Sequence, residues 1–159
     1  MVSVYDLKTY KPKSTDKFLF DTNILVFLYN SLNPDLNETK SEVYSNFMAE
    51  IVKSGATIYL TSLNLAEFVN VLISREYNIK KQGKDDSYQK KRDFRNSDDY
   101  TYAIEQIKPI IRRMLSTFTK LSDNFEELAI ENLTNDIKID FNDEYFNYLC
   151  NYNDIKIIM

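Results

Sequence analysis

Apolar positions change period repeatedly along the chain, and each change marks a predicted element. Residues 1–16 are mostly polar, contain Pro12, and read as an N-terminal arm or lead-in. In residues 17–20 the run Phe18-Leu19-Phe20 has the length of a buried strand. It feeds Asp21-Thr22-Asn23, and Ile24, Leu25, Phe27 and Leu28 then recur at helical spacing to residue 30. Asn33-Pro34-Asp35 is a turn signal. Thr39-Lys40-Ser41-Glu42 has the capping-box pattern, in which a hydroxyl and a carboxylate take free amides reciprocally. Val43, Phe47 and Ile51 continue that helix, and Gly55 is its expected stop. Residues 56–60, β-branched and aromatic, form the second strand. Thr61-Ser62 then offer caps to a third helix bearing Leu65, Phe68, Leu72 and Ile73 on one side. Strand and helix alternating through short joints predict parallel pairing with right-handed crossovers.

Residues 78–99 break this rhythm. They carry Lys80, Lys81, Lys84, Lys90, Lys91, Arg92 and Arg95 among Asp85, Asp86 and Asp93, and read as a polar, solvated excursion. Helical spacing returns at Ile104, Ile107, Ile111, Met114, Leu115 and Phe118, with Pro109 expected to kink that helix or divide it. Asp123 to Glu126 is a second capping-box-like start, leading to Leu128 and Leu133. Ile137-Lys138-Ile139-Asp140 is a candidate strand, residues 142–151 a helix with Tyr145, Phe146 and Leu149 inward, and residues 155–158 a last strand.

Composition narrows the chemistry. The 159 residues suit one domain spanning 1–159. There is no histidine, so Ser-His-Asp triads, Cys-His dyads and His-ligated metal sites are excluded. The single cysteine excludes an intramolecular disulfide and a thiolate zinc cluster, and fits a reducing, cytoplasmic setting. No apolar run approaches the roughly 20 residues of a membrane span. The formal net charge of −4 gives no global attraction to nucleic acid, so any such binding needs a local basic patch. Catalysis must then rest on carboxylates, Lys, Tyr or a metal held by oxygen.

Three carboxylates occupy comparable places. Asp21 ends the first strand, Glu67 lies on the first turns of the helix after the second, and Asp143 opens the helix after the candidate third strand. A parallel sheet gathers such positions at one edge, where ligand sites of open α/β sheets form. Oxygens converging from different elements suit Mg²⁺ or Mn²⁺. Without an ion, the like charges repel. With one, water is activated and phosphoryl oxygens are polarised, a route to phosphodiester hydrolysis that needs no histidine. Each acid also has a plain structural reading: Asp21 as a helix cap, Glu67 as a solvated helix residue, Asp143 as a charge favoured by the helix dipole. Asn23 either reaches a neighbouring carboxylate or bonds its own turn, and Thr22, Thr61 and Ser62 read as local caps.

Together, Asp21-Thr22-Asn23 after its strand, Leu65-Ala66-Glu67-Phe68-Val69 after the second, and Asp140-Phe141-Asn142-Asp143 before the last resemble the PIN-domain nucleases, in particular VapC-type toxin ribonucleases. The resemblance covers most of residues 17–158, with little motif between about 78 and 120. It implies a Rossmann-like three-layer α/β/α domain with a central parallel sheet of about four strands. It implies an Mg²⁺- or Mn²⁺-dependent endoribonuclease whose metal-binding and catalytic acids are Asp21, Glu67 and Asp143, with Asn23 supporting and Asp140 as the alternative third acid. It further implies an RNA substrate, an antitoxin protein partner and a homodimer. The family places another acid in a Thr-x-Asp turn after its fourth strand. Here Met159 stands where that turn would begin, so the expectation is a domain truncated before the fourth acid, its last strand missing and strand four left as a pairing edge or dimer contact. The competing expectation is a degenerate PIN-fold module acting through protein or RNA binding. Residues Lys80–Arg95 read either as phosphate contacts or as a solvated loop.

Overall fold

The computed structural model describes residues 6–29, 38–85, 87–123, 125–127 and 140–158. Among them the elements run β1 (Lys17–Phe20), α1 (Thr22–Tyr29), α2 (Glu38–Ser54), β2 (Thr57–Leu60), α3 (Ser62–Lys81), a 3₁₀ turn (Phe94–Asn96), α4 (Asp98–Thr117), β3 (Thr119–Lys120), α5 (Phe141–Asn153) and β4 (Lys156–Ile158). The strands form one sheet in the order β3-β2-β1-β4, and every pairing is parallel. The chain is thus an α/β protein with a parallel sheet, compatible with a Rossmann-like arrangement.

Strand alternation sorts the core into two sides. Phe18 and Phe20 of β1, Ile58 and Leu60 of β2 and Ile158 of β4 join one cluster with Ile24, Phe47, Phe68, Ile107 and Met114 from α1 to α4. Leu19 faces the other way and packs with Phe146, Cys150 and Ile155, on the side covered by α5. The path from β1 to β2 therefore lies on one face, and the helix leading into β4 lies on the opposite face. That places a topological switch between the neighbours β1 and β4, where open α/β sheets form ligand crevices beyond the strands' carboxyl ends.

Several boundaries differ from expectation. The third helix runs on to Lys81, so residues 78–81 belong to it. The excursion that follows is anchored rather than loose. Phe94 is fully buried, Tyr88 stacks on Tyr77 with centroids 6.0 Å apart, and Phe94 meets Tyr100 edge-on at 5.7 Å. Its charges mask these aromatic anchors in the sequence. Pro109 lies inside one continuous α4 and does not divide it. Phe118 is the C-cap of α4, and β3 follows at once, pairing Tyr59 with Thr119 and Leu60 with Lys120. A two-residue strand has no periodicity of its own, so helical spacing ran through it. Helix α2 begins at Glu38, so Thr39 lies within it and is not its N-cap. A Thr-x-x-Glu pair fits inside a helix as well as at its start, which leaves the first turn undetermined. The Asn33-Pro34-Asp35 turn, the Leu128–Leu133 helix and the strand at 137–139 fall outside the described residues. Gly55 ends α2 as expected, with φ +75°, the left-handed region that favours glycine.

Candidate functional site

Polar residues that follow β1 and β2, and those that open α5 ahead of β4, converge on one cavity of about 510 Å³, whose lining includes Asp21, Glu67, Asp140 and Asp143. Asp21 sits where β1 ends. Its N–H donates to Ile158 O of β4 at 2.8 Å, and its carbonyl accepts from Ile24 and Leu25 N–H at 3.0 and 3.1 Å. One residue thus closes the last rung of the β1–β4 pair and caps α1. Its carboxylate Oδ2 accepts from Asn23 Nδ2 at 3.0 Å, a bond to a neighbouring carboxylate that also lies within the residue's own turn.

Glu67 joins three elements. Thr22 Oγ1, at the first residue of α1, donates to Glu67 Oε2 at 2.7 Å. Asn142 Nδ2, at the second residue of α5, donates to Glu67 Oε1. The solvated-helix reading of Glu67 therefore fails: the residue is half-buried and hydrogen-bonded at both oxygens. Thr22 is likewise more than a local cap. Thr61 does cap α3, accepting from Asn64 N–H at 3.0 Å, whereas Ser62 Oγ donates to Asp123 Oδ2 at 3.2 Å.

The third acid has two registers, and each has a different role. Asp140 is the N-cap of α5, and its Oδ1 accepts from Asn142 N–H at 2.9 Å. Asp143 lies in the first turn and is exposed. Both line the cavity.

Beneath these groups lies Asn64, fully buried. Its Oδ1 accepts from Thr61 Oγ1 at 2.9 Å and its Nδ2 donates to Phe20 O at 3.3 Å. That amide ties the start of α3 to the carboxyl end of β1 and so fixes Asp21 relative to Glu67. Replacing Asn64 with Leu leaves the Phe20 carbonyl and the Thr61 hydroxyl without this partner. We expect a loss of about 1–3 kcal/mol, read as a lowered midpoint in a urea melt with unchanged slope.

The remaining lining residues were not anticipated. Asn70, Ser74 and Asn78 follow Glu67 at three, seven and eleven positions, the stripe of α3 that its apolar residues leave free. That stripe was legible as the polar complement of Phe68, Leu72 and Ile73, but only once Glu67 was known to face a cavity. Arg75 is the one basic residue among the described lining.

The predicted basic segment is arranged differently. Lys80 pairs with Asp99 at 2.9 Å, and Arg92 with Asp93 at 2.8 Å. Lys84 lies 5.9 Å from the Tyr88 ring centroid. Lys81, Lys91 and Arg95 are exposed. Among the described residues none of these lines the cavity, but Lys90 Nζ reaches Ser74 Oγ on its wall. Burial pushes the Cys150 thiol up to about 12, so it is not a nucleophile at neutral pH.

Oxygen donors on the carboxylates fit a hard divalent cation by type. Among the described residues, however, no group of three or more acidic, Cys or His side chains is close enough together to hold one ion. No helix of the described residues is long and apolar enough to cross a membrane. Comparisons with family models, curated proteins and solved structures return no match for this chain.

Proposed function

We propose that this chain is a PIN-type, Mg²⁺- or Mn²⁺-dependent endoribonuclease. One observation carries the reading: Asp21, Glu67 and Asp143, chosen from separate sequence segments, line the same cavity beyond the carboxyl ends of a parallel sheet. One or two ions would be held by these carboxylates, directly or through bound water, since the three are not clustered around a single point. When bound, the metal would supply Lewis-acid polarisation of the phosphodiester and lower the pKa of water. The chain's own contribution is positioning. Asn23 orients the Asp21 carboxylate, Thr22 and Asn142 orient that of Glu67, and Asp140 holds the start of α5, on which Asp143 is carried.

The same reading makes the chain a candidate toxin of a toxin–antitoxin pair, acting on cytoplasmic RNA, with an antitoxin protein and a second copy of itself as partners. The edge position of β4 in the described sheet supports a strand-edge contact between copies.

The direct test is metal-dependent RNA cleavage. Addition of Mn²⁺ at about one hundred times its Kd should stabilise the purified chain by about 2.7 kcal/mol. That corresponds to a rise in Tm of roughly 5–10 °C for a domain of this size. The same Mn²⁺ should start cleavage of single-stranded RNA, and chelator should stop it. Cleavage that continues in chelator, or a Tm indifferent to Mn²⁺ and Mg²⁺, rejects the metal site.

A second reading has its own support. Both Glu67 oxygens are satisfied by protein donors, as in a structural polar tie. On that reading the chain is a catalytically silent PIN-like module that acts through binding.

A further inference from the structure

We propose that Arg75 is a phosphate-binding residue that grips the RNA strand one or two nucleotides away from the bond that is cut. The inference rests on the nuclease reading and deepens it. Among the described residues, Arg75 Nη1 is the buried side-chain donor left without a hydrogen-bond partner. A buried, unpaired N–H of a charged group is costly. Nη1 itself is closed to solvent, but the residue is half-buried and lines the cavity, so an anion would meet the side chain from its cavity side. Its surroundings narrow the ligand. The guanidinium belongs to the wall of a cavity otherwise lined by carboxylates, amides, hydroxyls and Val71, and no carboxylate among the described residues pairs with it. The missing partner is therefore an anion brought from outside.

Position on α3 then separates this anion from the one being cleaved. Arg75 follows Glu67 by eight residues, about 12 Å along the helix axis at the usual rise. That spacing of the two backbone positions leaves room along the wall for more than one phosphate, even with the Arg75 side chain leaning back toward the helix N-terminus. It suits a neighbouring phosphate of the same strand. Asn70 and Ser74 lie between them on the cavity wall, and Lys90 adds a second cation there through Ser74 Oγ. The planar fork of Arg matches phosphate oxygens in pairs, which a lysine does not reproduce.

The test compares the wild-type chain with Arg75→Met and Arg75→Lys, using a short fluorescent single-stranded oligoribonucleotide. Binding is followed in chelator, and kcat/KM in Mn²⁺. For Arg75→Met we expect roughly tenfold weaker binding, irrespective of base sequence, with the salt slope reduced by about one. Its Tm should be unchanged or raised, because an unsatisfied buried donor is removed. Arg75→Lys should recover only part of the affinity. In the wild type, a single neutral methylphosphonate linkage at the gripped phosphate should cost as much affinity as Arg75→Met, and the two losses should not add. Equal affinity and equal salt slope in Arg75→Met overturn the proposal, as does a methylphosphonate loss that adds fully to it. Should wild type fail to cleave RNA in Mn²⁺ while Arg75→Met still weakens binding, the catalytic reading falls and the phosphate site stands.

Discussion

Asp21→Asn should reduce Mn²⁺-dependent RNA cleavage by on the order of 10²–10³-fold, the usual cost of losing one preorganised electrostatic group in a reacting site. It should leave the fold intact. The backbone of residue 21, not its side chain, makes the bonds to Ile158, Ile24 and Leu25. Asn is also as good an N-cap as Asp, so α1 keeps its start. The carboxylate's own bond is to Asn23, a polar contact at the surface of the cavity, and its loss costs little. Far-UV circular dichroism and the apo Tm should therefore match wild type, while the Mn²⁺-induced rise in Tm disappears. The same assay separates the two registers of the third acid. Asp143→Asn should behave like Asp21→Asn. Asp140→Asn preserves the cap of α5 and should stay within a few-fold of wild type. Loss of activity confined to Asp140→Asn would move the third ligand to Asp140. Wild-type activity in both Asp21→Asn and Asp143→Asn would leave the cavity a structural polar site.

The parts of this site legible in the sequence were those with local signatures. An apolar run that ends on Asp21, and a capped helix with Glu67 in its second turn, are patterns within a few residues. Parallel topology then brings them together without any further information. What joins them was not legible. Thr22, Glu67 and Asn142 are far apart in the chain, and each alone looks like a cap or a surface residue. Arg75 was hidden for a related reason. Its charge was outweighed by the denser basic run after residue 78, yet much of that run is paired with Asp93 and Asp99 or stands on exposed turns. Density of charge proved a poor guide to where a cation faces a cavity. The β3 strand was missed because two residues carry no period, and Phe118 continued the helical one.

The polar tie at Glu67 also reconciles the two functional readings. A carboxylate accepting from one hydroxyl and one amide retains further acceptor capacity on both oxygens. Its hydrogen bonds therefore fix its direction without filling it, as the outer partners of a metal-ligating carboxylate do. The binding-module reading gains its support only if those bonds are the whole of Glu67's role, which the Mn²⁺ titration decides.

Acid should destabilise the chain through a different carboxylate, on the side of the fold away from the strands' carboxyl ends. Asp16 precedes β1 and is only 8% exposed. Its Oδ1 accepts from Lys156 Nζ of β4 at 2.7 Å, and its Oδ2 accepts from Tyr10 OH at 2.8 Å and Lys13 N–H at 2.9 Å. Burial alone would push this carboxyl up. The hydrogen bonds from Lys156, Lys13 and Tyr10, with the Lys156 charge, outweigh burial and hold it at about 2, below its ordinary 3.8. A depressed carboxyl stabilises the fold fully above its unfolded value, and that stabilisation is lost as pH falls from 3.8 through about 2. The shift corresponds to about 2 kcal/mol at neutral pH. The raised pKa of Lys156 describes the same bond from the other side and adds nothing to that sum. Asp16→Asn should therefore lower Tm near neutral pH by roughly 4–8 °C. The gap to wild type should narrow below pH 4 and close below pH 2, where the wild-type carboxyl is neutral as well. The Asn23 and Arg75 sites are remote from this staple, so RNA affinity per folded molecule should not change. A Tm deficit in Asp16→Asn that is the same at every pH would show that packing of the arm, and not the Asp16–Lys156 charge pair, holds Tyr10 against Phe18 and Phe47.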